Sequence, residues 1–369
     1  MKLRYKILIV VLVLVTGMLS WLAVSLSHDS PCGPAPALPE QTTLMKAVVH
    51  RCYGAADVLR LEDVAKPNAA DNEVLVQVHA ASVNPLDSHY LSGKPYIVRL
   101  DSGFGKPENP RLGVDFAGTV EAVGKSVTRF KPGDEVFGGK FGAFAEYVSV
   151  REDRALVLKP ANMTFEQAAA VPIAAITALQ ALRDKGQIKP GQKVLINGAS
   201  GGVGTFAVQL AKSFGAEVTG VCSTRNVAMV RSIGADHVID YTQEDFTKSG
   251  EHYDLILDTV GNHPLLQNRR ALTPHGIFVL VGGPTNGGQW IEPLMGPIEA
   301  LMLSPFVSQK FRPILAELNP GDLSILGELM QAGKVTPVID RQYALSEVAA
   351  AMRYLEAGHA RGKVVINVK

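Results

Sequence analysis

Residues 193–212 read KVLINGASGGVGTFAVQLAK. The apolar run Val194, Leu195, Ile196 leads into a loop with glycine at 198, 201, 202 and 204, and the residues beyond it have helical spacing. That pattern predicts a strand, a tight turn and a helix. Such a turn gathers bare backbone N–H groups and the positive end of a helix at one point, where a diphosphate can approach closely because no Cβ intervenes. A glycine-rich loop by itself also suits turns that bind nothing. Here the downstream pattern narrows the choice. Strands are expected at Glu217 to Cys222, His237 to Asp240, Tyr253 to Thr259 and Ile277 to Val281, with a helix from Asn226 to Ile233. Strands and helices alternating at this spacing are βαβ units of a doubly wound parallel sheet, whose ligand crevice lies at the carboxyl ends of the strands. The fold class is read as α/β and the ligand as a dinucleotide.

Gly191, Gln192, Leu195, Ala199, Ser200, Gly201, Gly202, Gly204, Gln209 and Lys212 together resemble the signature of the zinc-independent quinone oxidoreductase and zeta-crystallin group of medium-chain dehydrogenases/reductases. The resemblance extends from Met45 to Lys369. It implies a GroES-like, partly open β-barrel, then a Rossmann sheet, with NADPH held by Ala199, Ser200, Gly201, Gly202 and Val203. The expected organisation is a membrane anchor or signal at 1–27 and a proline-rich linker at 28–44. A GroES-like catalytic domain follows from 45–162 together with 314–369, and a Rossmann NADPH-binding domain at 163–313.

With 369 residues, 47% of them hydrophobic, the chain can bury a core large enough for two domains. The net charge of +1 gives no reason to expect nucleic acid. Three cysteines, Cys32, Cys52 and Cys222, are too few and scattered for a disulfide framework and are expected as free thiols. Lys2, Arg4 and Lys6 precede Ile7 to Leu26, twenty residues without a charge. That is the length of a membrane-crossing helix and exceeds a typical signal-peptide core, although Ala23 and Ser25 offer a small-x-small cleavage site. The positive-inside rule keeps the basic residues cytoplasmic and sends Asp29 onward across, away from the usual nicotinamide pools. The anchor inserts the other way, the domain works where such pools are scarce, or translation starts at Met45. Prolines at 31, 34, 36 and 39 make an extended tether the expected form of the linker.

After Met45 the pattern turns to short alternating strands, 47–49, 58–64, 74–80, 118–123 and 143–148, as in an antiparallel, partly open barrel. Zinc-dependent relatives carry cysteine and histidine ligands where this chain reads Ala81-Ser82-Val83-Asn84-Pro85-Leu86-Asp87 and Gly113-Val114-Asp115. Catalytic zinc needs about three protein ligands, so metal-independent chemistry is expected. By resemblance Asn84 donates toward substrate or nicotinamide ribose and Asp87 fixes the loop. His89 stands where relatives have tyrosine and is either a proton donor or a solvated loop histidine. Tyr90 and Tyr96 lie near the mouth, where tyrosines also simply pack, and Asp115 is read as structural.

The expected helix 165–184 would lay Thr177 against the nicotinamide, unless its hydroxyl bonds back to the preceding turn. After the second Rossmann strand stand Cys222, Ser223, Thr224, Arg225 and Asn226, without the carboxylate that would accept from an NAD ribose. Ser223 and Arg225 therefore favour the 2′-phosphate of NADPH. The resemblance adds Tyr241 beside the adenosine phosphate, Val260 and Gly282 (with Gly283) beside the nicotinamide, and Lys363 in the closing strand 362–366, after a helix at 344–355. It makes residues 284–313 a dimer face or a substrate lid. The expected function is hydride transfer from NADPH to a quinone or an activated enone. The rivals are an NAD(P)-dependent medium-chain alcohol or enone dehydrogenase and a non-catalytic NADPH-binding scaffold. Expected partners are a small-molecule substrate, a membrane contacted through residues 7–26, and a second copy in a homodimer.

Overall fold

The computed structural model describes residues 2–38, 40–282, 290 and 292–369. The expectations for Pro39, for Gly283 and for 284–289 lie outside the described residues. Helix α1 (Lys2–Ser27) is continuous, and its stretch Tyr5–Ser27 is long and apolar enough to cross a membrane. Trp21 and Val24 are exposed on it, whereas Leu26 is buried against the following domain.

That domain runs through β1 (Leu44–Val49), β2 (Arg60–Ala65), β3 (Glu73–Val83), the short helices α2 (Pro85–Ser92) and α3 (Arg99–Ser102), β4 (Asp115–Val123), β5 (Glu135–Gly139), β6 (Tyr147–Arg151) and β7 (Leu156–Leu158). β1 and β2 form a separate antiparallel pair, while β3, β4, β5 and β7 follow one another antiparallel and β6 also joins β3. Val74, Val76 and Val78 turn one face of β3 to the barrel core, and from Ala80 to Val83 the strand is buried on both faces. The strand expected at 143–148 starts only at Tyr147. Val48 N bonds Phe144 O while Phe144 N bonds Leu112 O, so this stretch divides its backbone bonds between two segments instead of joining one ladder.

The helix expected over 165–184 is two. Helix α4 (Phe165–Ala169) opens with a reciprocal cap, Gln167 N donating to Thr164 Oγ1 and Thr164 N to Gln167 Oε1. Helix α5 (Pro172–Gln180) starts afresh because Pro172 has no N–H to continue the ladder, although Val171 before it keeps right-handed helical geometry.

The nucleotide half follows: β8 (Lys193–Asn197), α6 (Gly202–Ser213), β9 (Glu217–Cys222), α7 (Val227–Ser232), β10 (His237–Asp240), β11 (Tyr253–Asp258), α8 (Leu265–Asn268), β12 (Leu272–Leu280), α9 (Glu292–Leu303) and β13 (Lys310–Pro313). These six strands are parallel in the order β10-β9-β8-β11-β12-β13. The order reverses between β8 and β11, the switch point at which such sheets bind ligands. Val194, Ile196, Leu255 and Leu257 on one face and Leu195 and Ile256 on the other are fully buried, as expected of a parallel sheet covered on both faces. Helix α10 (Pro320–Gln331), β14 (Ile339–Ala344), α11 (Val348–Glu356) and β15 (Lys363–Asn367) close the chain. β15 returns to β3 antiparallel, but β14 lies parallel to β15, so the barrel sheet is not wholly antiparallel. The helix α11 between them supplies the crossover that a parallel pair requires.

One expectation about the first segment is overturned. Cys32 and Cys52 are joined in a disulfide, and Cys222 alone is free. The linker, without helix or strand over residues 28–38, is in addition pinned where it starts. Arg99, fully buried, donates from Nη1 to the carbonyls of Leu26 and His28 and from Nη2 to Asp29 Oδ1, while Ser30 N bonds Gly105 O. A guanidinium placed on the last carbonyls of a helix satisfies orphan acceptors and complements the negative end of its dipole. Nothing in the spacing of the two cysteines announces this approach. Their sequence separation of 20 residues implies that the bond removes about 3 kcal/mol of loop entropy from the unfolded chain. The double variant Cys32→Ser, Cys52→Ser is therefore expected to melt several degrees lower in calorimetry without reductant, and an unchanged Tm would refute the contribution.

Candidate active site

At the switch point β8 turns through Gly198 to Gly201 into α6. Gly198 holds φ +84°, and a Cβ on Gly204 would lie 2.0 Å from the carbonyl oxygen of Gly198, a backbone atom with nowhere to go. Glycine at both places lets α6 press onto the turn. Gly201 precedes the helix with no side-chain cap, which leaves the first N–H groups of α6 available to an anion. Beside them Asn226 donates to Ser200 Oγ and Ser223 Oγ, at 3.1 Å each, while its buried Oδ1 has no partner. Across the crevice, the adjacent strand ends pair Asn197 Nδ2 with Asp258 Oδ1 at 2.9 Å, and the same oxygen accepts Val260 N and Gly261 N. Burial holds the Asp258 carboxyl above its usual range.

The barrel meets this loop through β15. Gly362 N donates to Ser200 O at 2.8 Å, and the stem of Lys363 passes Gly202. Lys363, 3% exposed, points its ammonium into the barrel, where it donates to Asn84 Oδ1 and to Val83 O and stands 3.4 Å from Asp115 Oδ2. Asn84 Nδ2 donates to the same Asp115 oxygen at 2.9 Å, and Ser82 Oγ and Ile173 N complete the carboxylate's partners. Asp87, the third residue of α2, reaches back to accept Asn84 N at 2.7 Å, and its other oxygen has no partner. One cation and two carboxylates thus share a buried compartment. Burial lowers Lys363, against the raising effect of Asp115 and Asp87, and raises both carboxyls, Asp87 to about 7.

That value carries a pH dependence. Asp87 has an ordinary value of 3.8 in the unfolded chain and about 7 when folded. Between those values the folded protein binds more protons, so its stability falls as pH rises from 3.8 to about 7 and is flat, on this account, outside that window. Asp87→Asn keeps an acceptor for Asn84 N and is expected to remove a slope totalling a few kcal/mol. Urea unfolding at a series of pH values reads it, and an identical slope in the variant would refute the assignment.

Residues 70–161 match the alcohol dehydrogenase GroES-like domain and residues 233–366 the zinc-binding dehydrogenase family. The 2-methylene-furan-3-one reductase of Solanum lycopersicum is 36% identical over 342 residues, which span 88% of this chain and 79% of the relative. The chloroplastic NADPH-dependent alkenal/one oxidoreductase of Arabidopsis thaliana is 35% identical over 339 residues, 87% of this chain and 79% of that one. The solved quinone oxidoreductase of Coxiella burnetii superimposes with a TM-score of 0.77 at 34% identity, covering 89% of this chain and all of its own. The chain belongs to the zinc-independent quinone oxidoreductase group of medium-chain dehydrogenases/reductases. As a member of that group it is an oxidoreductase. Although one matching family is named for zinc, no group of three or more His, Cys, Asp or Glu side chains among the described residues could hold a metal ion.

The candidate residues divide in this enzyme. Asn84, Asp87 and Lys363 come together around Asp115. His89 is exposed, its Nδ1 against Lys94 O at 2.9 Å. Tyr90 packs on Phe141 and donates its hydroxyl to Asp101 at 2.6 Å; burial and that bond hold its phenol well above the usual range. Thr177 donates back to Ile173 O at 2.7 Å. Gly282 abuts Thr259, so that Val260 and Gly282 border one rim of the crevice. Ser223 and the exposed Arg225 follow β9, with Arg225 Nη2 on His359 O at 2.8 Å, and Tyr241 is exposed beyond β10. The sequence reading placed the loop from Asp258 at the crevice but missed Asn197 and Asn226, and it missed Asp240, which accepts Thr224 Oγ1 at 2.6 Å. Strand ends at a switch point were the available signal: Asn197 faces Asp258, and Cys222 faces Asp240, in adjacent parallel strands.

Proposed function

We propose that the protein is an NADPH-dependent reductase whose acceptor is a quinone or an activated enone. The uncapped start of α6 behind Gly198 and Gly204, hydrogen-bonded across Gly362 to the wall carrying Lys363 and Asn84, supports this most. A cradle that a Cβ would fill, rimmed by the unpaired N–H groups that open α6, fits a dinucleotide diphosphate. The orphaned Asn226 oxygen beside it can only accept, as from a ribose hydroxyl. The residues that would hold the cofactor are Ala199 to Val203 at the diphosphate, Ser223, Arg225 and Tyr241 at the adenosine end, and Thr177, Val260 and Gly282 at the nicotinamide end. Bound there, NADPH supplies the hydride. Asn84 is held by Asp115, Lys363 and Asp87 in one orientation, which suits it to position rather than to exchange protons. Asp115 and Lys363 neutralise each other in that compartment, and we assign them to holding Asn84 in place. The observed partners of His89 and Tyr90 weigh against either as the proton donor.

Asp240 weighs against a phosphate near Thr224, yet its oxygens are already engaged by Thr224, Thr242 and Gln243. Arg225→Ala should raise the KM for NADPH about tenfold, the loss of one charge-assisted contact, and leave NADH turnover unchanged. A wild-type kcat/KM greater for NADH would overturn the NADPH assignment. Steady-state cofactor oxidation with quinones, enones and aldehydes tests the reaction itself; tight NADPH binding with no turnover on any would favour a scaffold.

Residues 7–26 we assign to a membrane anchor. Support comes from the length of α1 and from the clamp, because a chain beginning at Met45 would strip Arg99 of its bonds to Leu26, His28 and Asp29. The disulfide favours an oxidising compartment for the catalytic part, the side to which the basic residues before α1 direct it. Fractionation of the native protein with protease protection tests both points, and soluble protein starting at Met45 would overturn them. A homodimer is supported by the exposed Leu301, Met302 and Phe306 on and beyond α9; sedimentation in detergent tests it.

A further inference from the structure

The clamp that receives the end of α1 sits on a segment with two unlike sides. Residues 96–98 form a single helical turn that runs straight into α3. Tyr96, Arg99 and Ser102 face inward: Arg99 stacks over Tyr53 and Tyr96, with its guanidinium carbon 4.3 and 4.8 Å from the ring centres, and Ser102 Oγ meets Tyr53 OH at 2.7 Å. Ile97 and Leu100, three residues apart and therefore neighbours on a helical surface, face outward at 45% and 57% exposure, and Phe104 follows at 50%. An apolar side of this kind is unexpected on a surface that meets only water, because its neighbours inward have satisfied the local packing.

Its occupant can be argued from what is attached to it. Arg99 grips Leu26, His28 and Asp29, the last turn of α1 and the residues directly after it, and Leu26 is buried there. Where α1 crosses a bilayer, this grip leaves no slack between the membrane surface and residues 96–104. Cys32–Cys52 fastens the chain to the barrel a second time within a few residues. We propose that Ile97, Leu100 and Phe104 dip into the headgroup and upper acyl region of the bilayer, so that the barrel rests on the membrane in a fixed orientation. Apolar and aromatic side chains at that depth are a usual means of interfacial docking. The same segment is tied to the site: Tyr90, in the helix that begins beside Asn84, donates to Asp101. One wall of the site is thereby continuous with the lipid-facing lip.

The inference rests on the anchor assignment, and the test separates the two. Single cysteines are placed in the full chain by Ile97→Cys, Leu100→Cys, Phe104→Cys, Val13→Cys and Lys125→Cys, spin-labelled without reductant, and reconstituted in phospholipid bilayers. Cys32 and Cys52 are paired and Cys222 is buried, so the introduced thiol is the one labelled. Power-saturation spectroscopy then compares collisions with oxygen, which concentrates in lipid, and with a water-soluble nickel chelate. Labels at 97, 100 and 104 are expected to favour oxygen severalfold, as at 13, whereas 125 favours the chelate. If 13 reads as lipid while 97, 100 and 104 read as water, the lip is overturned and the anchor stands. If 13 also reads as water, both fall.

Discussion

Gly204→Ala is expected to lose about two orders of magnitude in affinity for NADPH in calorimetric titration, roughly 3 kcal/mol, and to unfold at lower temperature. The added methyl would sit 2.0 Å from the carbonyl oxygen of Gly198 and 2.8 Å from Ala199 Cα. Both are backbone atoms of the turn itself, so α6 must back away from β8. Overpacking of this kind costs about 1–3 kcal/mol in stability, and it also spreads the N–H groups that a diphosphate would bridge. Gly202→Ala is the internal comparison. Its methyl would meet Lys363 Cδ at 3.2 Å, the middle of a flexible side chain that can yield by a few tenths of an ångström. Affinity should fall far less there. Equal effects at the two positions would show that the close crossing at Gly204 is not what shapes the cradle.

Lys363→Met should be the most destabilising single change in the barrel. It removes the one cation that, among the described residues, lies within reach of Asp115 and Asp87, both fully buried. Breaking a buried pair by deleting one partner costs about 3–5 kcal/mol, because the remaining charge is stranded. The sign with pH follows. Without Lys363 both carboxyls rise further, and the unfolded values cancel between variant and wild type, so the penalty is absent below the wild type's own raised values and grows as pH rises through them. Denaturant unfolding of the variant should therefore approach wild type in acid and diverge toward neutrality. The double variant Lys363→Met, Asp115→Asn is expected to recover part of the loss, since the pair is removed together. A penalty independent of pH, or no recovery in the double variant, would mean that packing of the lysine stem, and not charge, is what matters.

The elements that came through from sequence share a physical trait: they depend on short-range pattern. The alternation of strand and helix from Lys193 onward is encoded residue by residue, and the glycines at 198 and 204 declare a backbone requirement no other residue meets. The break at Pro172 was legible too, had its missing N–H been weighed against helical period. The stretch 143–148 was misjudged because its backbone serves Val48 and Leu112 separately, which alternation cannot express. Among site residues, Asn84 and Asp87 were selected by the resemblance of one short stretch, and they prove to open one short helix. The partners that orient them, Asp115 and Lys363, lie 31 and 279 residues away from Asn84, and only the sheet brings them in.

The sequence by itself determined the class of fold, the place of the dinucleotide loop and the presence of an apolar helix long enough to span a bilayer, since each is a local consequence of composition and period. The tertiary structure decided the rest. It gave Lys363 two buried carboxylates as counter-ions, and it joined two cysteines expected as thiols in a bond. It also seated the end of the apolar helix on Arg99. Each of these is an energy of proximity between groups distant along the chain, and proximity is what folding creates.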